Sequence, residues 1–238
     1  YTGRVYVYAG GASGPTLEET LDGEGTYEYF GGALAGGGDG DSDGRPDLLI
    51  SAYRYQSFTG RVYLYRGTAS GLANNPAATI DGEAKSSYLG TAIAWAGDVN
   101  GDSRDDALIG ASGANAYTGS AYIFLGASGG LDAASPILLE GANMGDLFGG
   151  AVTGIGDTNA DGLSDIAVGS HGFDNYRGRA YVYAGTSAGV YTAPTTVLTG
   201  DEDSYFGFAA TGMGDVTGDG YDDLVVAAPT YNDHTGQV

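Results

Sequence analysis

Of 238 residues, 42% are hydrophobic and only 16% charged, which is enough apolar side chain for a sizeable core and too little charge for a disordered chain. The 45 glycines and 6 prolines keep no triplet period, so collagen is excluded. Thirty acidic residues against nine basic ones leave a formal charge of −21, which repels nucleic acid and anionic lipid and makes cations the expected partners.

Cysteine is absent, which removes disulfides, thiolate metal sites and cysteine nucleophiles. No run of 18 apolar residues exists, so membrane insertion is not expected, and Tyr1-Thr2-Gly3-Arg4 lacks the basic start and apolar core of a signal peptide.

The chain repeats itself. Phe30-Gly31, Leu89-Gly90, Phe148-Gly149 and Phe206-Gly207 mark four equivalent points, and nine residues after each aromatic or leucine an aspartate-rich loop opens at Asp39, Asp98, Asp157 and Asp215. In chain order, residues 1–29 form a half unit, 30–88, 89–147 and 148–205 form whole units, and 206–238 form a second half unit. The first half unit supplies the strand Val5-Tyr6-Val7-Tyr8 and a polar-ended strand near Thr20-Leu21-Asp22. Each whole unit then reads as four strands.

A small-residue strand comes first (Gly32–Ala35, Thr91–Ala94, Gly150–Thr153, and Phe208–Thr211 in the last half unit), suited to a crowded axis. After the acidic loop comes an unbroken apolar run, Leu48-Leu49-Ile50, Ala107-Leu108-Ile109, Ile166-Ala167-Val168 or Leu224-Val225-Val226, which implies burial on both faces. The third strand alternates aliphatic and aromatic residues at Val62–Tyr65, Ala121–Phe124 and Ala180–Tyr183. The fourth ends polar at Thr79–Asp81, Leu138–Glu140 and Val197–Thr199, as an outer edge requires.

Four-stranded antiparallel sheets covered on both sides and repeated radially specify an all-β fold, a β-propeller, here a single propeller domain or a propeller fragment. Thr2-Gly3-Arg4-Val5 matches Thr235-Gly236-Gln237-Val238, so the two half units are complementary but overlap. Three assemblies fit that arithmetic: a closed four-bladed ring, an eight-bladed dimer, or part of a seven-bladed ring.

The acidic loops carry oxygen donors at alternate positions. Loop one offers Asp39, Asp41, Asp43 and Asp47 at positions 1, 3, 5 and 9, with the Arg45 carbonyl at position 7. Loop two offers Asp98, Asn100, Asp102 and Asp106 with the carbonyl of Arg104; loop three, Asp157, Asn159, Asp161 and Asp165 with that of Leu163; loop four, Asp215, Thr217, Asp219 and Asp223 with that of Tyr221. Oxygen ligands alone select a hard cation, and this many per loop suits Ca²⁺, up to four ions in all. Asp-Gly pairs also make plain hairpin turns. A turn, however, has no use for a fourth and fifth oxygen, and four such loops stand in register. Ser103 replaces glycine at position 6 of loop two, and Thr217 replaces a carboxylate or amide in loop four, so these two loops are expected to bind more weakly.

Phe-Gly, a small-residue strand, Asp-x-[Asp/Asn]-x-Asp-Gly-x-x-Asp, an apolar strand and then Gly110-Ala111-Ser112 or Ala227-Ala228-Pro229 resemble the FG-GAP repeat. That repeat builds the seven-bladed propeller of integrin α subunits and of related bacterial and fungal proteins. The resemblance implies a calcium-stabilised extracellular or cell-surface propeller that works in adhesion or ligand binding. Integrin propellers carry metal loops in only some blades, whereas all four units carry one here.

Strand alternation puts the metal loops on one face and the most variable loops on the other. The variable loops hold Tyr53, Tyr55, Tyr117, Phe173, Asn175, Tyr176, Arg177, Tyr231 and His234, a mixture suited to a protein or glycan ligand. No catalytic triad, zinc motif or phosphate loop is present, and few acids such as Asp174 and Asp233 lie outside the cages, so no enzyme is expected. A lectin or a polysaccharide-active enzyme on the same fold is the alternative, and a structural module joining end to end through the split terminal blade is a second. Trp95 replaces the glycines 36, 154 and 212 and is expected to fill space near the axis, while His171 and His234 read as surface residues.

Overall fold

The computed structural model describes residues 2–231, so His234 and the Thr235–Val238 segment lie outside the described residues. The amino-terminal hairpin pairs β1 (Arg4–Ala9) with β2 (Thr16–Asp22). Blade one follows as β3 (Phe30–Gly36), β4 (Leu48–Ala52), β5 (Arg61–Tyr65) and β6 (Ala78–Asp81). Blade two comprises β7 (Leu89–Gly97), β8 (Asp106–Ala111), β9 (Ser120–Phe124) and β10 (Ile137–Glu140). Blade three comprises β11 (Ala151–Gly156), β12 (Asp165–Ser170), β13 (Arg179–Tyr183) and β14 (Thr196–Thr199). The half unit at the other end pairs β15 (Ala209–Gly214) with β16 (Asp223–Ala227).

Each whole blade is a four-stranded antiparallel sheet in chain order, the meander of a propeller blade. Among the described strands, β1 pairs only with β2 and β16 only with β15. Every residue of β8 and β12 is buried, as their unbroken apolar runs require. A two-residue hairpin between strands three and four, such as Gly67–Thr68 with Gly71–Leu72, is an element that the apolar pattern did not announce.

Blades pack front to back. Val5 and Val7 of the amino-terminal hairpin meet Ile50, Tyr63 and Tyr65 of blade one. Leu49, Val62 and Leu64 of blade one meet Ile109, Tyr122 and Phe124 of blade two. Leu108, Ala121 and Ile123 then meet Val168 and Tyr183 of blade three, and Ala167 and Val182 meet Leu224. Aliphatic residues thus lie against the next sheet's aromatic side, and each large side chain so buried contributes roughly 1.5–3 kcal/mol. The alternation along strand three therefore assigns the two faces of every blade. Tyr6 and Tyr8, equivalent to Tyr63 and Tyr65, are more than half exposed because no described blade precedes β1.

The repeated Phe-Gly pair works as a clamp between neighbours. Phe30, Leu89 and Phe148 are buried, and the next residue, Gly31, Gly90, Gly149 or Gly207, has φ between +80° and +87°. A Cβ at Gly149 would lie 2.2 Å from the Ser120 carbonyl oxygen, so only glycine serves there. The Leu89, Phe148 and Phe206 N–H groups donate to the carbonyls of Thr59, Thr118 and Arg177 in the preceding blade. Trp95, half-buried, adds a second tie: its indole N–H donates to the Ala35 carbonyl at 3.2 Å and its ring lies against Gly38 and Gly40.

Phe148→Ala should cost about 3–5 kcal/mol by cavity formation, whereas Phe148→Leu, the residue already used at 89, should cost under about 1.5 kcal/mol. Chemical denaturation of the two variants checks this, and equal losses would contradict the clamp.

Candidate metal centre

The four acidic loops share one backbone design, built from carboxylates that accept main-chain N–H groups. At position 1, Asp39 accepts from Asp43 at 3.0 Å and Gly44 at 2.7 Å. Asp98 accepts from Asp102 and Ser103, Asp157 from Asp161 and Gly162, and Asp215 from Asp219 and Gly220, all at 2.8–3.1 Å. The position-5 carboxylates of Asp43, Asp102, Asp161 and Asp219 in turn accept the N–H of Arg45, Arg104, Leu163 and Tyr221. These nested turns gather the side chains inward, as the alternation of donors requires.

Two positions in each loop are left-handed. Position 6 has φ of +83°, +66°, +88° and +91° at Gly44, Ser103, Gly162 and Gly220. Position 4 is also left-handed, at Ser42, Gly101, Ala160 and Gly218, a need that the sequence hid because serine and alanine stand in two of the four places. Ser103 carries the strain that glycine avoids.

Position 9 is the keystone. Asp47, Asp106 and Asp165 are almost wholly buried. One oxygen of each accepts the N–H of position 2 (Gly40, Val99, Thr158), and the other accepts the N–H of a glycine 20 residues on (Gly67, Gly126, Gly185), at 2.7–3.2 Å. Each carboxylate thereby ties its loop to the small hairpin after strand three. Burial pushes the Asp47 carboxyl up from its usual range and Asp106 up to about 6, against the opposing pull of those N–H groups. At Asp157 burial is the largest single influence, yet four backbone N–H groups outweigh it and hold the acid below its ordinary value. Asp215 is lowered chiefly by the Gly220 N–H.

Adjacent loops are also joined. Asp105, Ser164 and Asp222, at position 8, donate their N–H to the Asp39, Asp98 and Asp157 carbonyls of the preceding loop at 2.9–3.1 Å. The Asp105 and Asp222 carboxylates take the N–H of Asp39 and Asp157 in return.

Whether this donor set fits a cation is answered best at loop one. Among the described residues, Asp39, Asp41 and Asp43 are the one group of three acidic side chains whose oxygens lie within 4.8 Å of one another. Asp41 Oδ2 is buried, and the guanidinium of Arg66 lies against it as an ion pair. A buried carboxylate oxygen that already faces a cationic group, beside two more carboxylates, fits a hard cation, and ionised carboxylates keep further lone pairs beyond those their N–H partners use. Asp47 stands behind this trio. Loops two to four replace one carboxylate with Asn100, Asn159 or Thr217, so fewer acids converge there.

The opposite face is aromatic. In each blade the link from strand two to strand three makes a left-handed turn over three successive residues, Gln56–Phe58, Asn115–Tyr117 and Asp174–Tyr176. Its last carbonyl accepts an N–H from the next blade's entry, at Tyr88, Leu147 or Tyr205. Tyr29, Phe58, Tyr117 and Tyr176 are exposed there, with Tyr53, Tyr88 and Tyr205 half-buried between them. Tyr176 stacks on Tyr205 at 4.6 Å, and Arg54 lies 4.1 Å over the Tyr29 ring. A cavity of about 500 Å³ is lined by Asn143, Met144, Asp146, Phe173, Asn175 and Tyr176, among others.

Of the sequence-predicted ligand residues, Tyr117, Asn175 and Tyr176 are exposed on this face and Tyr53, Phe173, Arg177 and Tyr231 are half-buried. Tyr55 is buried with Arg61 over its ring at 3.9 Å, and Phe173 carries Arg179 at 3.6 Å, so both rings pack under guanidinium groups. His171 is not a simple surface residue: it lies between Tyr205 and Phe208, and burial lowers its pKa. Sequence reasoning passed over Tyr29, Tyr88 and Tyr205, although each stands immediately before the Phe-Gly or Leu-Gly pair.

The FG-GAP repeat model matches residues 30–65, 89–124, 148–183 and 207–238. The chain is also 30% identical over 214 residues to integrin alpha-5 of Xenopus laevis, covering 84% of this chain and 20% of that protein. Integrin alpha-V of Gallus gallus is 33% identical over 215 residues, 84% of this chain and 20% of the relative. Integrin alpha-IIb of Homo sapiens is 38% identical over 161 residues, 63% and 15% respectively. The protein therefore belongs to the FG-GAP repeat family and is a β-propeller of the kind found in integrin α chains. It spans about a fifth of the length of these relatives.

Two outcomes follow from the loop geometry. Ser103→Gly should raise stability by about 0.5–1 kcal/mol by relieving a left-handed residue, read from denaturation midpoints. The raised acid of Asp106 favours the protonated folded state, so its contribution is complete below the unfolded carboxylate range near 4 and is lost as pH rises through about 6. Chelator-treated protein should accordingly melt lower at pH 6.5 than at pH 4.5, and the opposite order would contradict the burial.

Proposed function

We propose that the protein is a non-catalytic, extracellular recognition module of the adhesion type, stabilised by calcium in the acidic loops and binding its ligand through the aromatic face. The observation that carries this reading is the convergence of the Asp39, Asp41 and Asp43 carboxylates in loop one, in a loop design repeated four times. The residues that would hold the ions are those at positions 1, 3, 5 and 9 of each loop, with the position-7 carbonyls of Arg45, Arg104, Leu163 and Tyr221. Bound Ca²⁺ would supply positive charge that offsets repulsion between the carboxylates of each loop. Up to four ions would change the formal charge from −21 to −13. Calcium loops of extracellular modules bind at roughly 10⁻⁴–10⁻³ M, matched to calcium outside cells.

The relatives are integrin α chains, which supports a protein ligand on this chain before a glycan one. The exposed tyrosines and the cavity beside Tyr176 provide stacking surface and hydrogen-bonding groups for such a partner.

Calorimetry with calcium should register binding, and EDTA should lower the melting temperature by several degrees. No heat together with indifference to EDTA would end the calcium reading. On the other face, replacing Tyr176 and Arg177 by Ala should weaken retention on an immobilised extracellular-matrix protein panel at least tenfold without changing the calcium-loaded melting temperature. Unchanged retention would remove that face from the function.

A further inference from the structure

Loop one differs from its counterparts in having a carboxylate, Asp41, at position 3. It differs in a second way. Arg66, just beyond β5, lays its guanidinium against Asp41 and reaches Asp43 Oδ2 at 3.4 Å. The Asp41 side chain is 2% exposed and that of Arg66 32%, so the pair is shielded from water on the aspartate side. The equivalent positions in blades two and three are Leu125 and Ala184. The extra negative charge and the extra positive charge therefore occur together in one blade.

We propose that Arg66 is a built-in counter-cation for loop one, which holds the three carboxylates together without metal and opposes a divalent ion when one arrives. The inference rests on the calcium reading. Three carboxylate oxygens within 4.8 Å of one another repel strongly; Arg66, which bridges Asp41 and Asp43, offsets part of that repulsion, while Arg45 touches Asp43 alone at 3.3 Å. A dication entering the loop must either push the guanidinium aside, which breaks its pairing, or bind beside it, which adds like-charge repulsion. Both subtract from affinity. Loop one is thus kept in shape without metal at the expense of affinity, whereas loops two and three have an amide at position 3 and a neutral residue at the Arg66 position; the guanidinium at loop two is that of Arg104, 3.5 Å from Asp102 alone, the counterpart of Arg45 on Asp43 in loop one. The loop richest in carboxylates is then not the tightest site.

Trp95 provides a local reporter, because its ring lies against Gly38 and Gly40 at the mouth of loop one. Terbium luminescence excited through Trp95 and competed with Ca²⁺ would be followed in an Asp102→Ala background, which silences the neighbouring loop two. Arg66→Leu should tighten both Tb³⁺ and Ca²⁺ binding at loop one on the order of tenfold or more. It should also lower the melting temperature in EDTA, and Arg66→Lys should keep the original affinity to within about threefold. Arg66→Gln, which retains much of the stem, repeats the test if the leucine variant does not fold; a variant that folds only with calcium supports the proposal. Unchanged or weaker binding in both neutral variants, with terbium still bound in the parent, overturns the role of Arg66 alone. No terbium signal in the parent or in any variant overturns the calcium reading and this inference together.

Discussion

Carboxylate oxygens bonded to main-chain N–H groups are the interaction on which this fold depends. Strands one and two of every blade are joined by a loop with little apolar substance, so something other than hydrophobic burial must give it shape. The aspartates at positions 1 and 5 do so by closing turns, and the buried aspartate at position 9 fastens the loop to a hairpin 20 residues away. Removing one such carboxylate would strand two buried donors, which is why an acid so costly to bury is kept in the interior.

The same groups create the problem that a cation would solve. Half of the 30 acidic residues fall in the four loops. Hydrogen bonding from backbone amides delocalises some of that charge and holds Asp157 and Asp215 ionised, but it leaves repulsion between the carboxylates themselves. Loop one relieves it internally with Arg66; the others reduce it by replacing a carboxylate with Asn or Thr. Because the position-8 groups of one loop are bonded to position 1 of the loop before it, a change in any one loop bears directly on its neighbour.

Much of the architecture could be read from the residues. Unbroken apolar runs gave the doubly covered second strands, and the Val-Tyr alternation gave the two faces of the third. The Phe-Gly spacing set the blade period. Other features left no local trace. Ser42 and Ala160 occupy left-handed positions that glycine would have advertised, and the three-residue left-handed turns at Gln56–Phe58, Asn115–Tyr117 and Asp174–Tyr176 contain no glycine at all. Their strain is held by hydrogen bonds from the next blade, a partner some 30 residues away in the chain. Tyr55 looked like a surface ligand because its loop is polar, and only the approach of Arg61 shows it to be buried.

Repetition, donor spacing and strand chemistry belong to the sequence alone, since each is a short-range pattern that a chain must carry to make turns and pleats at all. Which oxygens converge, which stay behind with their N–H partners, and which loop meets Arg66 were decided by tertiary structure. Asp39, Asp41 and Asp43 obey the same spacing rule as the donors of the other loops, but Arg66 reaches them only because β5 folds back alongside, and no local pattern encodes a contact made across two strands.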